Sequence, residues 1–319
     1  MKHLRYALIA FGLSIASQAE ASTCFWVGGT ATWDGTNTGG GGTGGIKWAS
    51  STGGSTACTA SSGPAAGVPG PSDTATFDGS SGGGTVTANP TGTGLTLNTL
   101  AMGSFTGTLD FSVNNPSMTL GGNGAAGFSV TGTGVRTLKL GSGTFTLKTS
   151  SNNGWDATVT TNMTFNGNTA TLKFSTPTTT GSDGVVLGAL SYAGVTFQFG
   201  PITNGSLVSV TGSSTTVANM DFTGPAAVQF PSITFTVTGS INSSGSAGSE
   251  VFISNGNSAS SLTTLSQSNA PTITWSGLRG LTFSGVTSTA TSSFDLGANS
   301  GITITAPSGG SSGGHIIGG

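Results

Sequence analysis

The chain has 319 residues and a formal net charge of −2, and only 6% of its residues are charged, against roughly 25% in ordinary soluble domains. So few cations cannot neutralise a row of phosphates, which excludes nucleic acid as an expected partner, and polybasic attachment to a membrane surface fails for the same reason. Gly and Pro, at 56 and 11 residues, stay below the roughly 25–30% that marks low-complexity chains, so a folded chain is expected.

Residues 1–21 read as a signal peptide. Lys2 and Arg5 give the positive start, Tyr6 to Ala16 is apolar but for Gly12 and Ser14, and Ala19-Glu20-Ala21 offers small residues where a signal peptidase cuts. The apolar run is about half of the roughly 20 residues that span a bilayer, and no later stretch is longer, so no membrane span is expected in the mature form. Removing Lys2, Arg5 and Glu20 leaves a formal net charge of −3. The expected location is therefore outside the cytoplasm: extracellular, at a cell surface or in a periplasm.

Residues 22–84 are rich in Gly, Ser and Trp and poor in aliphatics, and read as an N-terminal cap. Both cysteines, Cys24 and Cys58, fall here. An exported chain meets an oxidising compartment, so they are expected to form one disulfide. A metal site lacks partners, since the mature chain's single histidine, His315, stands near the opposite end. Trp26, Trp33 and Trp48 could cover the first turn of whatever follows.

From Thr85 to Ala306 short strands with period-two alternation recur, separated by Gly, Asn or Ser. Thr85-Val86-Thr87, Thr144-Phe145-Thr146-Leu147, Thr171-Leu172-Lys173-Phe174 and Ile302-Thr303-Ile304 are examples. β-Branched and aromatic residues alternating between turn formers are the pattern of half-buried strands, and no helical period competes. A sandwich or barrel normally closes within about 100–150 residues, whereas here strand clusters return every 20 to 30 residues or so, a solenoid period. The expected fold is all-β, a right-handed parallel β-helix over 85–306 with a Trp/Cys N-terminal cap. About ten turns at about 4.8 Å each would make a rod some 45–50 Å long. Residues 307–319 read as a Gly/Ser-rich tail.

Two stretches carry a resemblance. Phe25-Trp26-Val27-Gly28-Gly29, Trp33-Asp34, Lys47-Trp48 and then Pro71-Ser72-Asp73-Thr74-Ala75-Thr76-Phe77 resemble the opening of β-helical proteins in bacterial surface passengers and tailed-phage structural proteins. Phe105-Thr106-Gly107-Thr108-Leu109, Leu138-Lys139-Leu140-Gly141-Ser142-Gly143-Thr144-Phe145-Thr146 and Thr236-Val237-Thr238-Gly239-Ser240 look like turn sequences of the same proteins. The resemblance implies a β-helical cell-surface or virion-associated protein. Autotransporter passengers precede a membrane barrel and this chain closes on a Gly/Ser tail, so both settings stay open.

The chemistry is sparse. No catalytic His/Ser/Asp or Cys/His set is available, and the glycine run Gly39 to Gly45 lacks the strand–turn–helix context of a phosphate loop. No cofactor and no metal site is expected. Glycan cleavage would need two carboxylates about 5–9 Å apart, and Asp110, Asp156, Asp183, Asp221, Glu250 and Asp295 are scattered singly, where turn roles are the simpler reading. Asp73 is expected to serve the turn before its strand. Binding without catalysis fits better: outward Thr, Ser and Asn, with Trp155, Tyr192 and Trp275 as candidate rings, could hold a sugar by stacking and hydrogen bonds, unless those rings are buried between turns. Ice binding by Thr-rich faces is a further alternative, with Thr-x-Thr arrays that are short and irregular. The expected function is thus a non-catalytic structural or adhesive surface for glycans or proteins, with a homo-oligomer as a route to avidity, and a glycan-cleaving enzyme with paired Asp residues as the alternative.

Overall fold

The computed structural model describes residues 20–121, 126–148, 153–175, 182–202, 206–256 and 262–308. The expected signal peptide up to residue 19, and His315 with the tail from residue 309, lie outside the described residues.

The chain is all-β, with helical geometry confined to single 3-10 turns at Thr43–Gly45 and Gly92–Leu95 among the described residues. Its strands form three long sheets, of twelve strands, of five, and of thirteen, the last with ten strands on its main path and three beside it. The chain visits them in rotation. Thr74–Phe77 lies in the first sheet, Thr85–Ala88 in the second and Thr96–Leu97 in the third; Thr99–Met102 then returns to the first, parallel to Thr74–Phe77. Up to Thr171–Phe174 each return adds one strand to each sheet, an arrangement compatible with a β-solenoid. From Thr74–Phe77 onward, aligned first-sheet residues are separated by between 17 positions (Leu278 to Asp295) and 30 (Trp155 to Val185), whereas the first step, Thr23 to Thr74, takes 51. At about 4.8 Å per strand, the eleven parallel strands of the first sheet extend for about 48 Å.

The geometry is not uniform along the stack. The second sheet ends at Met163–Asn166. Beyond it, long strands at Tyr192–Phe199 and Thr215–Thr223 carry the chain. The first half of Thr215–Thr223 pairs with Thr234–Val237 and its second half with Ile241–Ser244, so one strand bends into two ladders.

The alternation explains the core. In the third sheet Leu97, Leu120, Leu147, Phe174, Phe199, Phe222, Ser243, Ile273 and Ala290 stand in one inward column, each paired with the next. Phe174, Phe199 and Phe222 stack with centroids 5.2 Å apart at both steps. Each large apolar side chain buried this way contributes about 1.5–3 kcal/mol. Ser243, the polar member, meets the Ser276 hydroxyl at 2.7 Å. Corners need residues without side chains: Gly121 has φ +88°, and a Cβ there would collide with the Lys148 carbonyl.

At the N-terminal end, strands Thr23–Trp26 and Thr74–Phe77 already lie in the first sheet, parallel to each other. Trp48–Ala49 runs antiparallel along the other side of Thr23–Trp26, and Ala49 is bridged in turn to Ala57. Cys24 and Cys58 form a disulfide with Cα atoms 5.5 Å apart. Trp26, Trp33 and Trp48 are fully buried and meet edge to face, at 5.0 Å for Trp26–Trp48 and 5.4 Å for Trp33–Trp48. Asp73 is buried in the turn before its strand. It accepts bonds from the Ser22 and Gly70 amides at 2.9 and 3.0 Å and from the Ser62 hydroxyl.

Candidate functional site

Of the three candidate rings, two are core residues. Trp155 and Tyr192 are 1% and 0% exposed. Trp155 stacks on Phe128 at 4.2 Å, its Nε1 donates to the Tyr192 hydroxyl at 2.8 Å, and that hydroxyl donates to the Leu187 carbonyl at 2.8 Å. Burial drives the Tyr192 phenol well above its ordinary range, despite the opposing bond from Trp155. Neither ring faces solvent, so the expectation of sugar stacking on Trp155 and Tyr192 is corrected. Inward positions of alternating strands put them between turns. Trp275 is half-buried at a left-handed corner (φ 50°), its carbonyl accepting the Val251 amide at 3.1 Å. It stays a candidate at the margin of the first sheet.

The outward side of the first sheet gathers a different set. Strands Leu207–Thr211, Ala226–Gln229, Val251–Ser254, Ser276–Arg279 and Phe294–Asp295 lie side by side. Their inward residues, Val208, Val228, Ile253 and Leu278, are buried, so the alternate residues point out. One outward column is Ala227, Phe252, Gly277 and Phe294; its neighbour is Ser209, Gln229, Ser254 and Arg279. The columns are about 7 Å apart and their members about 4.8 Å.

Gly277 lets the apolar column form. A Cβ there would come within 2.7 Å of Phe252 Cδ1 and 3.0 Å of Leu296 Cδ1, so both side chains lie over the glycine. Phe294 and Leu296 are 41% and 49% exposed. The result is a small apolar platform beside a row of hydroxyl, amide and guanidinium groups. Next to that row Thr211, Gln229, Pro231 and Asn255 line a shallow open depression. Gln229 reaches across Gly256, where a Cβ would collide with its Nε2.

Carboxylates take little part. Asp34 accepts from Thr36, Asp78 from Ser80, Asp110 from Ser112, Asp156 from Thr158, Glu250 from the Gly248 amide and Asp295 from the Gly297 amide, each within its own turn. Asp110 also meets Lys139 at 3.0 Å, and Asp34 meets the buried Lys47 at 2.8 Å. Burial pushes both carboxyls up, but the hydrogen bonds outweigh it and hold Asp34 and Asp110 below the usual carboxylate range. No carboxylate stands opposite another across the paired strands described. Among the described residues no three His, Cys, Asp or Glu side chains cluster to hold a metal ion.

Sequence reasoning missed Phe252, Phe294, Leu296 and Arg279. The signal for Phe252 was there: Val251-Phe252-Ile253 is apolar without alternation, so one of the three must face out. Compared with protein-family models, curated proteins and solved structures, the chain matches none.

Proposed function

We propose that this is an exported, non-catalytic β-helix that presents a polar surface to glycans or to protein partners, at a cell surface or on a virion. In this reading the coil is right-handed, as nearly all parallel crossovers are, and residues 22–84 cap its N-terminal end. The disulfide fits an oxidising compartment.

One observation carries the functional reading. The outward first-sheet face pairs the Phe252–Gly277–Phe294 column with the donors and acceptors of Gln229, Ser254 and Arg279. A pyranose ring offers an apolar C–H face and a rim of hydroxyls, which is the complement of that arrangement. Asp34, Asp78, Asp110, Asp156, Glu250 and Asp295, held in their own turns, and Asp221, held by Asn242 of the next strand, support binding over cleavage. With so little charge, retention should depend weakly on salt.

A polysaccharide panel scored for both retention and product release tests this. The expected result is specific retention without release, lost in Phe252→Ala and in Arg279→Ala. Steady release of oligosaccharides, abolished by replacing a pair of Asp residues, would instead establish the glycan-cleaving alternative.

A further inference from the structure

The two ends of the stack differ. At the N-terminal end the first sheet is closed by the antiparallel strand Trp48–Ala49, whose outer side is taken up by Ala57 and the Cys58 amide. At the C-terminal end Phe294–Asp295 closes the first sheet and Ile302–Ile304 the third, each with a neighbour on one side only among the described residues. Alternation makes Ile302 and Ile304 inward residues: Ile304 continues the column of Ile273 and Ala290, which are 2% and 0% exposed. Yet Ile302 and Ile304 are only partly buried, because no described turn lies over them. They make the third-sheet edge at this end apolar, and among the described residues no strand lies beyond it. A free, apolar strand edge is a template for another strand.

We propose that this end is a dimer interface, in which two copies meet C-terminal end to C-terminal end across a two-fold axis. The ends themselves select this arrangement. A head-to-tail contact would bring the free edge onto an N-terminal end that is already covered, its first sheet closed by Trp48–Ala49 and its Trp26, Trp33, Trp48 and Leu97 side chains fully buried. Two C-terminal edges related by a two-fold axis instead place Ile302–Ile304 of each copy antiparallel, with main-chain groups facing and the half-buried isoleucines in contact. The contact is self-complementary, so it closes at two copies and does not propagate into a fibre.

Size is compatible. The last turn takes 17 positions from Leu278 to Asp295, and at about 3.3 Å per residue its outline with side chains covers on the order of 600 Å². Two such ends bury about 1,200 Å² together, the lower bound of specific interfaces, so the dimer should form in the micromolar range. Charge does not oppose it strongly. Asp295 is the one ionisable side chain between Ser292 and Thr305, and it is held by the Gly297 amide at 2.9 Å and Asn299 Nδ2 at 2.7 Å. This inference is independent of what the first-sheet face binds, although a dimer would present that face twice.

The test is light scattering on the full mature protein across the micromolar range, with Ile304→Lys and Ile304→Val beside it. The expected result is a doubling of mass with concentration, at least tenfold weaker in Ile304→Lys and retained in Ile304→Val. Hydrogen exchange on the unmutated protein gives a second reading: the Ile302 and Ile304 amides should gain protection at high concentration. A monomer throughout, or a dimer indifferent to Ile304→Lys with no gain in protection, would overturn the proposal.

Discussion

Tyr192→Phe is the sharpest single perturbation of the core. The hydroxyl links Trp155 Nε1 to the Leu187 carbonyl, with both bonds 2.8 Å long. Removing it keeps the ring and its packing but orphans a buried donor and a buried acceptor. Each orphan costs about 1–3 kcal/mol, and partial relaxation should leave a loss of about 2–4 kcal/mol. Denaturant unfolding reads this as a lower midpoint at unchanged slope. Alkaline pH offers a second reading, because the chain has two tyrosines and Tyr6 lies in the expected signal peptide. Burial holds the folded phenol above its ordinary value of 10.0. The unfolded chain therefore releases this proton first, and stability falls as pH rises beyond about 10. In the mature protein no tyrosinate absorbance should develop before unfolding, and Tyr192→Phe should lack that part of the alkaline slope. A folded protein whose tyrosine titrates near pH 10, or a variant with an unchanged midpoint, would refute the reasoning.

Three further outcomes are expected. Replacing Cys24 and Cys58 by Ser opens a loop of 34 residues and should cost about 3–4 kcal/mol on the chain-entropy model, read by unfolding against the oxidised protein, while intact mass with and without reductant should report one bond and no free thiol. Asp73→Ala leaves the Ser22 and Gly70 amides without their acceptor, and a loss of about 3–5 kcal/mol should appear in denaturant titration. Asp34 and Asp110 have lowered pKa values, so their contribution is present above the unfolded value near 3.8 and lost as pH falls through the folded ones; the acid limb of the stability curve should flatten in Asp110→Asn.

Sequence alternation located the second and third sheets well. Thr85–Ala88, Thr144–Leu147, Thr171–Phe174 and Ile302–Ile304 fall where Thr alternates with Val, Leu, Phe or Ile. Most first-sheet strands were not legible. Phe128–Val130, Trp155–Asp156, Ala226–Gln229 and Ser276–Arg279 are two to four residues long and hold Ser, Ala, Gly or a charge, with little β-propensity of their own. Neighbouring turns on both sides impose their extension, which is information carried by pairing and not by the segment. The same limit applies to the rings. Trp155 and Tyr192 look like outward aromatics until register shows which side of the sheet they occupy. Aligning Gly277 between Phe252 and Phe294 likewise requires turn lengths of 25 and 17 positions that no fixed period supplies.

The stacking of turns itself is best tested by spin-label distances along one outward column of the third sheet. Thr96, Thr119, Thr146, Lys173, Gln198, Asp221, Asn242 and Thr272 are each paired with the next. Labels at Thr96 and Gln198 should therefore lie about 19 Å apart, and labels at Thr96 and Thr272 about 34 Å, a constant step of about 4.8 Å per turn. Distances that fail to grow with the number of turns would contradict the parallel stack.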